Sequence, residues 1–304
     1  MNKIYYFNDC FGVNDKNPEH LNIKINSDIK VFIDPFLINN YKSIPIANKL
    51  HQRSKKFLKH LNESYVMTGQ RKKGIQFLSD LNEANEYKLG YSLSNKGKGI
   101  GNKKAEIIYD SLFNNKFAKK GISITNEADN VLLLVEGIGQ DNMSDTFANV
   151  CRDIFAEFTL NQCVKYGIST SLTEIRFYNE NSSKWERKRV KLPHYKGEPI
   201  ILIPQFLSSS LRDYQSRYNW FLSNNYWSRD IMSGAINVGA DTNFIYTKKD
   251  GTKKAIIKNI HEAFRKPKSE LINCVITYPE SLINFKDYAK LNYLCIQYKK
   301  LKDL

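Results

Sequence analysis

The stretch that says most about the fold is residues 131–145, VLLLVEGIGQDNMSD. Its first five residues are apolar, which is typical of a fully buried β-strand, and the Gly-Ile-Gly that follows allows a sharp backbone turn. Three carboxylates, Glu136, Asp141 and Asp145, come within ten residues of the end of this predicted strand. Buried strands that end in a loop are where α/β proteins often place their chemistry. The alternative interpretation is a strand, a turn and a solvated helix start, where acidic residues are favoured.

Apolar and alternating segments on both sides of this stretch predict further elements. Residues 31–33 form an apolar strand that runs into Asp34-Pro35, and residues 199–204 form a second one bracketed by prolines. We therefore expect an α/β or α+β fold, nuclease-like, with a mixed β-sheet around the strands at 131 and 200 and helices flanking it. The same patterns predict a helix over 145–166, strands over 173–178, 186–191 and 274–278, and a hairpin of 243–247 with 254–257.

The length of 304 residues suits one large domain or two ordinary ones. Loop-forming residues near 180–197 place the expected division there. We expect residues 1–190 to form an α/β domain that holds the Gly-rich loop and the acidic strand end. Residues 191–304 would form a second α+β part, and one continuous domain is the alternative.

The charge balance favours a polyanionic partner. The chain has 46 Lys and Arg against 31 Asp and Glu, a net charge of +15, and a pI near 9.4. An AT-rich genome would account for part of the lysine excess, because Asn, Ile and Tyr are abundant as well. We expect nucleic acid as the partner, with a protein partner or a homo-oligomer left open.

The cysteines and the apolar segments bear on the compartment. The five cysteines form no Cys-x-x-Cys pair, so we expect reduced thiols in a cytoplasmic protein and no structural zinc. No signal-peptide core is visible and no stretch approaches 18 apolar residues, so no membrane association is expected.

Residues 97–108, GKGIGNKKAEII, form a Gly- and Lys-rich turn followed by a predicted helix from Asn102. They resemble the hairpin and second helix of helix-hairpin-helix DNA-binding motifs, although residues 89–96, where the first helix of that motif would lie, have a loop-like sequence. The resemblance implies that backbone N–H groups at the helix start contact a phosphate, with lysine charges nearby. A plain flexible linker is the alternative. The predicted phosphate-binding residues are Lys98, Gly99, Gly101, Lys103 and Lys104.

Residues 134–137, LVEG, resemble the first motif of Toprim domains, in which a Glu at a strand end and a later Asp-x-Asp hold magnesium. The family includes topoisomerases, primases and nucleases of phage defence. No Asp-x-Asp follows in this sequence. The resemblance therefore implies a metal-binding role for Glu136 alone.

The favoured function is a metal-dependent nuclease acting on DNA or RNA, in a setting such as phage defence. Mg²⁺ is the expected cofactor, because phosphoryl transfer needs a cation beside the developing charge and carboxylates supply its ligands. We predict Glu136, Asp141 and Asp145 as catalytic residues and as metal ligands, joined by Asp34 if its strand is a neighbour. The alternatives are a non-catalytic nucleic-acid-binding subunit of a larger complex and a nucleotide-binding enzyme that uses the glycine loop.

A basic cluster lies on the predicted strand around 186–191. Its cations are spaced along the strand beside an aromatic residue, which would suit contact with a nucleic-acid backbone. A solvated strand edge protected by charge explains the same residues. The cluster consists of Lys184, Trp185, Arg187, Lys188, Arg189 and Lys191.

Overall fold

The computed structural model describes residues 5–82, 84–90, 102–119, 123–211, 213–239 and 243–296. The chain forms two compact units: Met1–Arg212 with Tyr293–Leu304, and Asp213–Asn292. The division therefore falls at 212 and 213, whereas the sequence analysis placed it at 190 and 191. Both units mix helices with short antiparallel strand pairs, so the chain is a mixed α/β protein in which helix predominates.

The first unit is built mainly from helices. Its helices are α1 (Phe7–Phe11), α2 (Pro35–Asn40), α3 (Pro45–Leu61), α4 (Arg71–Leu78), α5 (Asn102–Asn114), α6 (Lys116–Lys119), α7 (Ala128–Leu134), α8 (Gln140–Val150) and α9 (Arg152–Tyr166). A π-helical turn at Asn62–Val66 extends α3, and 3₁₀ turns lie at Asn85–Tyr87, Ser123–Asn126 and Gln205–Leu207. Its strands are β1 (Phe32–Ile33), β2 (Ser171–Asn179), β3 (Lys184–Leu192), β4 (His194–Tyr195), β5 (Glu198–Pro199) and β6 (Ser208–Ser209).

The apolar run at 131–135 is helical, so the strand predicted there is wrong. Every residue of α7 from Ala128 to Leu134 is buried. A helix buried on all sides needs no polar face, and its sequence then has the same continuous apolar character as a buried strand. The helix gives way to extended backbone at Val135, and Gly137 follows with φ +81°.

The mixed sheet expected around 131 and 200 is also wrong. The sheets in the described ranges are four antiparallel strand pairs, β1–β6, β2–β3, β4–β5 and β7–β8. Residues 200–203 are fully buried but belong to none of these strands. Ile201 N–H donates to the Glu86 carbonyl at 2.9 Å. The Ile203 carbonyl accepts from Leu21 N–H at 2.9 Å. Leu202 N–H donates to the Thr159 hydroxyl of α9 at 2.8 Å, so side-chain and loop partners take the place of a regular ladder.

The hairpin of β2 and β3 confirms the two strands predicted at 173–178 and 186–191. Its register is regular from Ser171↔Leu192 to Asn179↔Lys184. Helices α8 and α9 pack against it. The helix predicted over 145–166 is present as α8 and α9, with a break at Cys151, whose φ of −107° and ψ of 19° are not helical.

The second unit has helices α10 (Tyr214–Leu222), α11 (Ser228–Ser233), α12 (Ile257–Phe264), α13 (Lys268–Thr277) and α14 (Ser281–Asn292), a π-helical turn at Ser223–Trp227, and strands β7 (Ile245–Thr247) and β8 (Lys253–Ala255). The β7–β8 pair confirms the predicted hairpin, whose turn contains Asp250 and Gly251. The strand predicted at 274–278 is wrong, because α13 extends to Thr277. The core forms around Tyr218 and Phe285, whose ring centroids are 4.9 Å apart.

Within the described ranges, no helix is both long enough and apolar enough to cross a membrane.

Candidate nucleic-acid interface

The β2–β3 ribbon has one face packed on the first unit and a second face that is directed to solvent except at the end near the turn. Side chains alternate along each strand, and directly paired residues share a face. On the packed face, Ile175, Phe177 and Leu192 are buried. On the opposite face, Tyr178 and its partner Trp185 pack against the first unit, whereas residues 172, 174 and 176 and their partners on β3 are intermediate or exposed, with Leu172 66% exposed. We call this exposed part the basic face. The basic face consists of the pairs Leu172↔Lys191, Glu174↔Arg189 and Arg176↔Arg187.

An aromatic cluster holds one end of the ribbon in place. The indole Nε1 of Trp185 donates to the Phe77 carbonyl at 3.0 Å. The Trp185 ring also lies against Phe57, Phe77 and Tyr178, at centroid distances of 5.9, 6.1 and 6.0 Å. Burying several aromatic rings together contributes more than a single contact would, so this end of the ribbon is rigid. Trp185 is therefore a structural anchor, which leaves it little surface for stacking on a base.

A salt-bridge network fixes the same end of the ribbon. The Arg53 guanidinium on α3 contacts Asp153 Oδ1 at 3.0 Å and donates to the Tyr178 carbonyl at 2.7 Å. It also contacts the Glu180 carboxylate. These side chains are largely buried, so the two carboxylates offset the cost of removing the guanidinium from water. Lys188, on the packed face, lies 3.6 Å from Asp153 and belongs to this network rather than to the basic face.

The basic face retains uncompensated positive charge. Arg187 pairs with Glu174 at 3.1 Å, and Arg176 pairs with Asp80 at 2.9 Å. In the part of the chain that the structure describes, Arg189 and Lys191 have no carboxylate within ion-pair distance. Residues 187, 189 and 191 follow one another at about 6.8 Å along one strand. Because exposed ion pairs are screened by water, Arg187, Arg189 and Lys191 all stay available to a polyanion.

The predicted catalytic carboxylates lie around the start of α8. Glu136 is exposed in the turn after α7, so the strand end that the Toprim resemblance implies is a helix end. Asp141 and Asp145 are half-buried and one turn apart on α8. The turn requires glycine at 137, since a Cβ there would lie 2.5 Å from Ser111 Oγ at a φ of +81°.

Asp34 is a helix cap in the structure. Its side chain is fully buried and accepts from Phe36 N–H at 2.9 Å, which caps α2. The preceding residue, Ile33, donates its N–H to Ser144 Oγ at 3.0 Å, so β1 and α8 are neighbours. No group of three His, Cys, Asp or Glu side chains able to hold a metal is found within the described ranges.

The glycine loop lies mostly outside the described residues. Lys98, Gly99 and Gly101 belong to residues 91–101, which the structure does not describe. Helix α5 begins at Asn102, as predicted, and contains Lys104 and the exposed Lys103. The phosphate-binding role of this loop stays a prediction.

The structure also pairs residues that no sequence motif connects. His51 Nε2 lies 2.9 Å from Glu127 Oε2, and Lys55 Nζ contacts Glu127 Oε1 at 2.5 Å. Burial lowers the pKa of His51, against the opposing effect of the Glu127 carboxylate. Both ring nitrogens are buried and lack a well-aligned hydrogen bond, so this pair offers no surface to a substrate. Only the fold brings α3 and the start of α7 together.

A family model described as Domain of unknown function (DUF8370) matches residues 12–215, which is more than half of the chain. The chain belongs to this family. The DUF8370 match contains the β2–β3 ribbon, the acidic residues around α8 and the Gly-rich segment, and it ends where the second unit begins. Comparison with curated proteins and with solved structures finds no match.

Proposed function

We propose that this DUF8370 protein binds nucleic acid through the basic face of the β2–β3 ribbon. The observation that supports it is the row of Arg187, Arg189 and Lys191 on one rigid, solvent-directed strand, with two of the three lacking an ion-pair partner in the described structure. Two-stranded ribbons are among the elements that proteins place against nucleic acid. The net charge of +15 acts in the same direction over longer distances.

The basic face suits contact with phosphates more than with bases. Its side chains are long and cationic, and the Trp185 ring is held against the aromatic cluster. Phosphate contacts fix position and affinity without reading sequence. Binding through this face is therefore non-specific, and its affinity falls steeply as salt displaces the contacts.

Metal-dependent cleavage stays a prediction from the sequence. It needs metal ligands that converge, and the described carboxylates Asp34, Glu136, Asp141 and Asp145 form no such group. Nucleic-acid binding needs only the basic face, and for that reason it is the function we propose.

The test compares two triple variants that remove the same charge. Arg187→Gln, Arg189→Gln and Lys191→Gln together remove the three β3 cations from the basic face. The control combines Lys49→Gln, Lys56→Gln and Lys59→Gln, which are exposed on α3. Fluorescence anisotropy with a labelled duplex is recorded across a series of salt concentrations.

The slope of log affinity against log salt gives the number of phosphate contacts. Each lost contact flattens it by about 0.9 on a duplex, so the ribbon variant should lose about 2.7. The control variant should keep the wild-type slope. If both variants lose the same slope, binding depends on net charge and not on the basic face, which would refute the proposal. An absence of wild-type binding at low salt would refute it as well.

A further inference from the structure

The second unit contains a polar cavity that belongs to neither the basic face nor the acidic segment. Its volume is ≈ 440 Å³, within the range of small-ligand sites. The start of α10, the end of α12 and the segment that joins α12 to α13 surround it. The residues whose side chains this proposal uses are Asp213, Ser216, His261, Arg265 and Lys266.

The cationic wall of the cavity is held on a fixed backbone. The buried side chain of Asn219 accepts from Lys266 N–H at 2.7 Å and donates to the Lys266 carbonyl at 3.0 Å. Gln215 also donates to that carbonyl, at 3.4 Å. These hydrogen bonds fix the backbone of residue 266 against α10, so the side chains of Arg265 and Lys266 start from a fixed backbone. Lys266 Nζ lies 3.9 Å from Glu270, a partly exposed pair that an anionic ligand can replace.

A hydrogen-bond chain sets the orientation of His261. Ser223 Oγ donates its one proton to the Asn219 carbonyl at 2.7 Å. Its contact of 3.2 Å with His261 Nδ1 must therefore be one in which the imidazole N–H donates. Nε2 is then the polar ring atom left for a ligand, and it donates to a phosphate oxygen when the imidazole carries both protons. Among the described residues that line the cavity, Asp213 is the carboxylate, and it already accepts from Ser216 N–H at 2.8 Å as the cap of α10.

An exposed aromatic ring stands beside this wall. Trp220 is 47% exposed, and its ring centroid is 5.1 Å from that of His261. A solvent-directed indole next to a cationic cavity offers the two contacts that a nucleotide needs, a stacking surface for the base and cations for the phosphate.

We propose that this cavity binds a phosphate monoester that carries a base, with Arg265, Lys266 and His261 on the phosphate and Trp220 beneath the base. The same chemistry occurs in a free mononucleotide and in the 5′-phosphorylated end of a strand. The cavity and the ribbon use different residues and are tested by different experiments, so either proposal can fail while the other holds.

Calorimetric titration of the full chain with AMP, adenosine and inorganic phosphate tests it. AMP should bind at least about tenfold more tightly than adenosine, because charge-assisted hydrogen bonds to the phosphate are absent from the nucleoside. Arg265→Gln and Lys266→Gln should each weaken AMP about tenfold, while the exposed Lys290→Gln on α14 should leave it unchanged. Trp220→Ala should weaken AMP about fivefold or more and leave inorganic phosphate unaffected.

A free nucleotide and a strand end are distinguished with the ribbon triple variant, because its basic face no longer binds nucleic acid. If this variant binds a 5′-phosphorylated oligonucleotide more tightly than AMP, the ligand of the cavity is a strand end. If it binds AMP more tightly, the ligand is a free nucleotide. Three results would overturn the proposal: no heat with millimolar AMP, equal affinity for AMP and adenosine, or equal losses in Arg265→Gln and Lys290→Gln. Circular dichroism of each variant confirms that it is folded.

Discussion

Replacing Gly74 by Ala should destabilise the first unit, although this change usually stabilises a helix. Gly74 is buried inside α4, where Ala normally gains about 1 kcal/mol over Gly. Here a Cβ would lie 2.4 Å from Tyr109 Cε2 and 3.1 Å from Tyr65 Cβ. Tyr109 cannot move aside cheaply, because it is 1% exposed and its hydroxyl donates to the Tyr65 carbonyl at 2.9 Å.

The expected magnitude follows from two opposing effects. Overpacking of this kind costs about 1–3 kcal/mol, and more where the overlap is with a ring that cannot rotate. Subtracting the helix preference leaves a net loss of up to about 2 kcal/mol. In a Tyr109→Ala background the ring is absent, so Gly74→Ala should instead gain about 1 kcal/mol. The two values give a coupling free energy of about 1–3 kcal/mol between the sites.

Urea unfolding followed by circular dichroism measures this cycle of four proteins. Tyr109→Ala alone should cost about 3–5 kcal/mol, so its transitions are recorded from zero denaturant upward. If Gly74→Ala raises the unfolding midpoint in the wild-type background, the close packing of α4 on α5 is refuted. If the two changes are additive, Tyr109 is not the residue that makes glycine necessary.

Three further predictions address the buried histidine, the ribbon anchor and the metal. Burial lowers the pKa of His20 from its ordinary 6.5, so the unfolded chain binds more protons than the folded chain below that pH. The free energy of unfolding measured in urea titrations should therefore fall from about pH 7 to pH 5, and His20→Gln should make that fall smaller. Trp185→Phe removes the hydrogen bond to the Phe77 carbonyl and should cost about 1–3 kcal/mol in the same assay, and an unchanged midpoint would contradict its role as an anchor. Nucleic-acid binding should persist in EDTA, since side chains supply its cations, whereas the cleavage predicted from Asp141 and Asp145 would stop; a gel assay with and without EDTA distinguishes the two.

Local sequence determined the elements whose signals lie within a few residues. The β2–β3 strands were predictable from their β-rich, bounded composition, and the β7–β8 hairpin from the Asp250-Gly251 turn. Helix α5 begins at Asn102, directly after the glycines that predicted its start. The charge that motivates the proposed function is likewise a property of composition.

The site required the tertiary structure. Alternation along β3 shows that its cations divide between two faces. Only the packing against α9 decides which face is directed to solvent, and only the partners Asp153 and Glu174 decide which cations lack an ion pair. The same holds for Asp34, a predicted metal ligand that caps α2. The cavity walls come from residues about 40 apart in sequence, Asn219 and His261 among them, and no local pattern joins them.

Two apolar runs show most directly what sequence alone left open. Residues 131–135 and 200–203 are both uninterrupted and both buried, yet the first forms the end of helix α7 and the second is neither helix nor strand. Burial removes the polar face that would reveal a period of two or of 3.6 residues, so the hydrophobic effect favours burial of either run without choosing its backbone. The hydrogen-bond partners of the backbone N–H and C=O groups decide which conformation each run adopts. In α7 the Val135 N–H donates to the Val131 carbonyl within the helix, whereas Ile201 finds its partner in Glu86, far away along the chain.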